Sequence, residues 1–368
     1  MTQSQTFFLE LLRAGLWNEM PDMSLDWKSV DWKSVEHLMR TQTVVGVCMD
    51  AIAKLPTDLR PDHKLFYRGI FMVRKMEEQN AKMNHFVPKV MKALEENGCG
   101  SLLLKGQGVA MNYPNPLHRV SGDIDLFVGF DDDIYEKAIQ VLTSRKVVLH
   151  DNNKKRRHAE LQLGDIVIEI HGSLGTSISN VCDNNMRAWA ESRLHGENVV
   201  VNSADGDIVM PPYDFDVLFI FVHLLNHYMN GGIGLRQVCD WLMYMYKNYE
   251  KIDSEQLQKD IEFLGIGKQW GLFASMAVKY MGYPSDRMFL YDAANDGRCN
   301  RIVSHIFKTG NFGTKQKEWQ LSGKSNPVVK KIVTLFGQIP VYLDNFRLFP
   351  RETVYCFGKF FKGGIDSL

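Results

Sequence analysis

The sequence has few of the features that mark a secreted or a nucleic-acid-coating protein. Its cysteines are widely separated and form no C-x-x-C pair: Cys48, Cys99, Cys182, Cys239, Cys299 and Cys356. In a chain of 368 residues, such isolated thiols predict reduced, mostly buried side chains and hence an intracellular, cytoplasmic protein. The formal net charge is +0 at pH 7, which argues against a protein whose main task is to coat nucleic acid.

Long apolar segments are also missing. The N-terminal apolar run is interrupted by Glu10 and Arg13, and it lacks the basic-then-apolar order of a signal peptide. The longest apolar candidate, Val217 to Leu225, contains His223 and is far shorter than the roughly eighteen uninterrupted apolar residues that a membrane span requires. We therefore expect no membrane partner.

The composition is that of an ordinary globular protein, with 45% hydrophobic and 23% charged residues. The length of the chain predicts two or three structural units rather than one core. The charge is unevenly distributed, because residues 301–368 contain 11 Lys and Arg against 4 Asp and Glu. This excess could face a polyanion, although a solvated basic helix surface is its more common cause.

Hydrophobic periodicity divides the chain into three regions. Residues 1–95 have helical spacing, residues 96–212 alternate short strands with helices, and residues 213–368 are again helical. The predicted fold class is α+β: a small mixed β-sheet with flanking helices, between helical N- and C-terminal regions. The helices predicted in the last region are Asp214 to Met229, Leu235 to Tyr246, Ser254 to Leu264, Lys268 to Met281 and Asn326 to Phe336.

Two carboxylates flank one apolar residue in the predicted strand Ser121 to Val128. Because side chains two apart on a strand point to the same face, Asp123 and Asp125 should project together. Two like charges at that distance are costly unless a cation lies between them. Magnesium prefers carboxylate oxygens and often bridges them to phosphates, so the pair suggests metal-assisted phosphoryl or nucleotidyl transfer.

A third carboxylate occurs in the β-rich segment Ile166 to His171. Alternation places Glu169 and His171 on one face of this strand, opposite Ile168 and Ile170. A charge inside a buried strand is rare unless it is paired or ligating, so Glu169 is a candidate third metal ligand. A paired charge on an edge strand is the alternative. Three carboxylates could hold two cations, one activating a hydroxyl and the other holding a triphosphate.

A glycine turn precedes the paired aspartates. Gly106 follows a short strand and begins a predicted helix, where the backbone can approach phosphate oxygens closely. The segment is not a P-loop, because G-x-x-x-x-G-K-[ST] is absent. Lys105 and Arg119 flank the predicted site and could neutralise a triphosphate, and Ser121 could donate its hydroxyl to it. A surface lysine is an equally common alternative for Lys105.

Three segments together resemble the polymerase-β-like nucleotidyltransferases: Leu103–Gly106, Arg119–Leu126 and Glu169–His171. More narrowly, they are similar to an uncharacterised bacterial nucleotidyltransferase family with an L-K-G turn and an R-x-S-G-D-I-D-L strand. The resemblance covers about residues 95 to 245 and implies that residues 96–212 are a nucleotidyltransferase-like catalytic domain. It also implies that Asp123, Asp125 and Glu169 are catalytic and bind two Mg²⁺ ions, with Mn²⁺ as the alternative metal.

The resemblance implies a nucleotide-binding set as well, namely Lys105, Gly106, Gln107, Arg119, Ser121, Gly122 and Arg236. The chain departs from the superfamily at Gln107, where glycine or serine is usual, and in the long gap between Gly106 and Asp123. The resemblance continues around His227 and Arg236, either of which could touch phosphate or the acceptor.

Several polar and aromatic residues also have a structural interpretation. His223 and His227 have the i, i+4 spacing of a zinc helix, but no glutamate follows His223 as in H-E-x-x-H, so core histidines are the commoner reading. Trp241, Trp270 and Phe273 are predicted to lie in the helical core.

The sequence therefore predicts an enzyme, a metal-dependent nucleotidyltransferase. It would move an NMP from an NTP to an unidentified acceptor hydroxyl or phosphate and release pyrophosphate. The alternative is a non-catalytic regulatory or antitoxin-like partner module that keeps the fold. A protein or nucleic-acid acceptor would use the basic C-terminal region, but no motif supports one.

Overall fold

A computed structural model describes residues 1–311, 339 and 341–365 of the chain. The helix predicted for Asn326 to Phe336 lies outside these residues. Within them the chain is mixed α+β, and the predicted fold class is confirmed: a five-stranded mixed sheet and a two-stranded one are accompanied by helical N- and C-terminal regions.

The N-terminal region is helical, as predicted. Its α-helices are α1 (Gln3–Leu16), α2 (Trp32–Thr41), α3 (Val45–Ile52) and α4 (His63–Glu95). The last is a single helix of 33 residues, which begins where the Asp62 carboxylate accepts a hydrogen bond from the Leu65 amide. The second half of α4 is apolar on one side, where Met83, Val87 and Leu94 are fully buried. This half of the helix belongs to the core of the sheet that follows it.

The central sheet is built from β1 (Leu102–Leu104), β2 (Asp123–Phe127), β3 (Val148–Asn153), β4 (His158–Leu163) and β5 (Ile166–His171). Its strand order is β1-β2-β5-β4-β3. Strands β2 and β5 are parallel, and the other neighbours are antiparallel. Two helices join the first strands, α5 (Gly106–Ala110) between β1 and β2 and α6 (Asp132–Ser144) between β2 and β3.

Alternation along β2 and β5 gives the sheet two chemically different faces. Ile124, Ile168 and Ile170 are fully buried on one face, in a core cluster that includes residues of α4 and α6. Asp125 and Glu169 point to the opposite face. One face of the sheet thus packs in the apolar core, and the opposite face presents the acidic groups.

The segment after β5 contains one helix and two strands that the sequence analysis does not predict individually. Helix α7 (Asn180–Arg193) is rich in Asn, which has a low helix propensity, and in charged residues, which are partly or fully exposed. Strands β6 (Val199–Ser203) and β7 (Gly206–Met210) form an antiparallel hairpin. Its turn uses Gly206 at φ +131°, in the region that only glycine adopts readily.

The C-terminal region is helical, as predicted. Its described helices are α8 (Tyr213–Asn230), α9 (Leu235–Lys247), α10 (Ser254–Phe263), α11 (Gly267–Met281), α12 (Asn300–Thr309) and α13 (Pro350–Ile365). Trp241, Trp270 and Phe273 are fully buried, so their predicted place in the core is confirmed. The Phe221 ring of α8 packs on all three, with centroid distances of 5.0, 4.7 and 5.7 Å.

The N-terminal helices are joined by polar contacts to the segment that leads into β2. The His118 ring lies between two carboxylates, 2.8 Å from Asp50 of α3 and 3.0 Å from Glu77 of α4. Burial lowers the pKa of His118, but the two carboxylates outweigh it and the net shift is upward. The Asn80 side chain of α4 donates to the backbone carbonyls of Leu117 and Arg119.

The six cysteines are all free and buried, as predicted. Among the described helices, none combines the length and the apolar character needed to traverse a lipid bilayer.

The core face of the sheet is expected to dominate its stability. We predict that Ile168→Ala lowers the free energy of unfolding by about 2–5 kcal/mol, because it leaves a cavity at a fully buried site. Val200→Ala, at a half-exposed position of β6, should cost less than about 1 kcal/mol. Urea unfolding monitored by circular dichroism measures both, and equal losses would contradict this account of the sheet.

Candidate active site

Three carboxylates meet on the open face of the sheet. Asp123 and Asp125 share that face of β2, and the parallel register places Asp125 directly beside Glu169 of β5. One oxygen from each of the three side chains lies within 4.8 Å of the other two. The strand alternation that the sequence shows is what brings these groups together.

Basic side chains surround two of the three carboxylates. The Lys105 ammonium lies 3.0 Å from Asp125 Oδ1, and His171 Nε2 lies 2.9 Å from the same oxygen. Glu169 Oε2 lies 3.1 Å from His158 Nε2 and 3.4 Å from His171 Nε2. The Asp123 side chain accepts no hydrogen bond from any residue that the structure describes. It is therefore the carboxylate with the fewest protein partners.

The pKa values follow from these contacts. Burial, followed by the charges of Asp125 and Glu169, raises the pKa of Asp123 to about 6. Burial also acts to raise the pKa of Asp125, but Lys105 and His171 outweigh it and hold that pKa below its ordinary value. For Glu169 the opposing effect of burial is overcome by hydrogen bonds from His158 and His171, and its pKa is lowered. One carboxylate of the cluster thus lacks the compensation that its neighbours have.

The turn before α5 has an unusual backbone. Lys105 has φ +53° and ψ −143°, a conformation that is costly for a residue with a side chain. Gly106 follows at φ +44°, and a Cβ there would lie 3.5 Å from the Asp123 carbonyl oxygen. The backbone conformation at position 106 therefore favours glycine. The strained turn aims the Lys105 ammonium at Asp125.

The side chain of Gln107 lies away from the carboxylates. It is 2% exposed, and its amide nitrogen lies 3.4 Å from the sulfur of Met83 in α4. The glutamine at this position therefore packs in the core rather than in the site. Gly122 is exposed, and nothing lies within 4 Å of the place that a Cβ would take.

Arg119 forms a buried bidentate ion pair. Its Nε and one terminal nitrogen lie 3.0 and 2.7 Å from the two Asp240 oxygens, and its other terminal nitrogen donates to Ser121 Oγ at 3.0 Å. The Tyr113 hydroxyl donates to Asp240 at 2.8 Å. Arg119 is 6% exposed. Its guanidinium group is thus engaged inside the protein, where it ties the segment before β2 to helix α9.

Arg236 lies one helical turn before Asp240 on α9. It donates from a terminal nitrogen to the Val120 carbonyl at 2.7 Å, while its buried Nε has no hydrogen-bond partner among the described residues. Burial and the charge of Arg119 lower its pKa. An unsatisfied buried donor on a guanidinium group is costly, and an anionic ligand is one group that could satisfy it.

The two histidines of α8 contact one another, and the charges of the site shift their pKa values. Their Nε2 atoms lie 3.1 Å apart. Burial, followed by the charge of Lys105, lowers the pKa of His223 well below its ordinary value and that of His227 to about 4. Both rings are therefore neutral near pH 7, close enough to the site for Lys105 to influence them.

Sequence reasoning passed over three residues of this site. His158 is one of several histidines in the chain, and no spacing motif distinguishes it. Alternation places His171 on the Glu169 face, but no pattern in the sequence assigns it a role. Asp240 follows Arg236 by four residues, so both lie on one face of α9, which was the available signal.

The fold and the site together define a class of protein. It is an α+β protein whose mixed sheet presents two aspartates on one strand and a glutamate on the parallel neighbour, and this set of oxygens suits a divalent cation. The chain belongs to the family described as uncharacterised nucleotidyltransferase, whose model matches residues 28–282. Membership supports a general nucleotidyltransferase activity. No curated protein and no solved structure matches the chain.

The family match is longer than the resemblance read from the sequence, which covered about residues 95 to 245. It adds α2 to α4 on one side and α10 and α11 on the other. The boundaries at 95/96 and 212/213 stay predictions.

We predict that Asp123→Asn stabilises the protein in the absence of metal. The pKa of Asp123 is raised to about 6 in the folded chain, against an ordinary value of 3.8. The protonated carboxyl therefore contributes to stability below the pKa of Asp123 in the unfolded chain. This contribution is lost as the pH rises through the pKa of Asp123 in the folded chain. The variant cannot ionise, so its melting temperature should exceed that of the wild type by a margin that grows from about pH 4 to about pH 6 and then levels off.

Asp125→Asn provides the matched comparison, because the pKa of Asp125 is lowered instead. The ionised Asp125 carboxylate stabilises the fold at any pH above the pKa that it has in the unfolded chain. The variant should therefore have a lower melting temperature than the wild type at pH 7. Thermal unfolding in chelator measures both variants. The same sign of shift in both would contradict the assigned electrostatics.

We expect the Arg119–Asp240 pair to be costly to break from either side. Asp240→Asn or Arg119→Met should each cost about 3–5 kcal/mol, since each leaves a buried partner unpaired. The double variant Arg119→Met with Asp240→Asn should lose less than the sum of the two single losses. Arg187→Gln, which removes the exposed pair with Glu191, should cost less than about 1 kcal/mol. Chemical denaturation tests this, and additive losses would refute coupling.

Proposed function

We propose that this protein is a metal-dependent nucleotidyltransferase that moves an NMP from an NTP to an acceptor hydroxyl or phosphate, with release of pyrophosphate. The observation that carries the proposal is the meeting of Asp123, Asp125 and Glu169 within 4.8 Å on two parallel strands. Family membership supports the general reaction class.

The donor set fits Mg²⁺. Carboxylate oxygens are the ligands that this ion prefers, and Asp123 offers a carboxylate that accepts no hydrogen bond from the described residues. Asp123, Asp125 and Glu169 would hold the ion or ions. Bound there, a divalent cation would neutralise triphosphate charge and lower the pKa of the acceptor hydroxyl.

The remaining side chains have separate roles in the proposal. Lys105 supplies positive charge beside Asp125, where the phosphates would lie. Arg236 offers its unsatisfied Nε to a phosphate oxygen. Arg119 acts as a positioning residue, because its guanidinium group is engaged by Asp240 and holds Ser121. Gly106 allows the turn that the phosphates would approach.

The experiment is to measure NTP turnover with the Asp123→Asn/Asp125→Asn double variant. We expect turnover to fall to background, because both oxygens that would hold the cation are lost, while circular dichroism shows an intact fold. The control is Asp151→Asn, an exposed position on β3 of the same sheet, which should keep wild-type turnover.

Undiminished turnover in the double variant would refute the proposal. The rival, a non-catalytic partner module, predicts that the wild type neither turns over nor binds an NTP with Mg²⁺ in calorimetry. The wild type should bind the NTP in that measurement if the proposal holds.

A further inference from the structure

Two histidines and a glutamate converge beside the carboxylate cluster. His158 of β4 and His171 of β5 are direct cross-strand neighbours, with ring centroids 4.9 Å apart. Both present Nε2 to the same oxygen, Glu169 Oε2, at 3.1 and 3.4 Å. The ligand atoms of these three side chains lie within 4.8 Å of one another.

We propose that His158, Glu169 and His171 form a second cation site, which binds Zn²⁺ or a similar transition-metal ion. The site shares Glu169 with the oxygen cluster but otherwise has different ligand chemistry. The inference deepens the proposed function by assigning it a second metal class, and it rests on that function only through the shared carboxylate.

The donor set selects the class of metal. Imidazole nitrogens suit zinc and related first-row ions, whereas Mg²⁺ takes oxygen ligands and rarely nitrogen. Two histidines with one glutamate are a known zinc ligand set, and the ion keeps its fourth position for water or substrate. Ligand atoms that each lie about 2.0–2.2 Å from one ion are separated by about 3–4 Å. The observed separations are close to that range.

The arrangement also has the access that a metal site needs. The side chains of His158, Glu169 and His171 are 34%, 22% and 16% exposed, so an ion can reach them from solvent. Strands β4 and β5 hold all three on rigid backbone, in one antiparallel ladder. A site built on strands keeps its ligand positions better than one built on loops.

Hydrogen bonding to carboxylates is the alternative role for these histidines. His171 Nε2 lies 2.9 Å from Asp125 Oδ1 and 3.4 Å from Glu169 Oε2, so its single N–H is directed mainly at Asp125. His158 Nε2 lies 3.1 Å from Glu169 Oε2 and contacts no other carboxylate among the described residues. Hydrogen bonding accounts for each ring separately, whereas a metal ion accounts for the approach of both Nε2 atoms to one glutamate oxygen.

The test measures Zn²⁺ affinity of the full-length, metal-stripped chain by competition with a chromophoric chelator. We expect His158→Gln and His171→Gln each to weaken Zn²⁺ binding by at least about tenfold, since each removes a ligand. His150→Gln is the matched control, because His150 is exposed on β3 of the same sheet. It should bind Zn²⁺ as the wild type does.

Co²⁺ in place of Zn²⁺ reports the ligands directly. Its visible absorption bands should weaken or shift in both histidine variants and stay unchanged in the His150→Gln control. Circular dichroism establishes that each variant is folded.

The outcomes separate this inference from the proposed function. Zn²⁺ affinity and Co²⁺ spectra that do not change in either histidine variant, or a folded wild type that binds no Zn²⁺, would overturn the second site. Zn²⁺ binding that depends on the histidines, in a protein with no NTP turnover, would leave this site standing and remove the nucleotidyltransferase proposal. Turnover with Mg²⁺ and no Zn²⁺ site would do the reverse.

Discussion

Strand pairing brings three carboxylates close together, and the rest of the site depends on how their mutual repulsion is offset. Parallel pairing of β2 with β5 places Asp125 beside Glu169, and the alternation of β2 adds Asp123 to the same face. Such a cluster is tolerated because Lys105, His158 and His171 lie against two of its members. The third carries the remaining electrostatic cost, visible in its raised pKa. Packing of the opposite, apolar face holds the strands in register, although the carboxylates on the acidic face repel one another.

The helical C-terminal region belongs to this site as much as the sheet does. Helix α9 contributes Asp240, which binds the guanidinium group ahead of β2, and Arg236, which binds the Val120 carbonyl in the same segment. Helix α8 contributes His223 and His227, whose pKa values the charge of Lys105 helps to lower. The family model accordingly includes α8 and α9 and does not end with the sheet.

Much of this arrangement could be predicted from local pattern. Period-two alternation placed Asp123 with Asp125 and Glu169 with His171, and helical spacing located α8, α9 and α11 within a few residues. Contacts between distant segments could not be predicted in this way. Nothing near Arg119 in the sequence shows that Asp240 would bind it, and nothing near Glu169 distinguishes His158. The strained backbone at Lys105 was equally hidden, because only the folded chain shows that turn.

The burial of α4 has a practical meaning for how the chain can be divided. The apolar side of that helix, around Met83, Val87 and Leu94, lies in the same core cluster as the sheet's isoleucines. A fragment begun at residue 96 would lack these side chains and would expose apolar surface that they cover, which favours aggregation. We therefore expect a folded fragment that holds the carboxylates to need the preceding 33-residue helix as well.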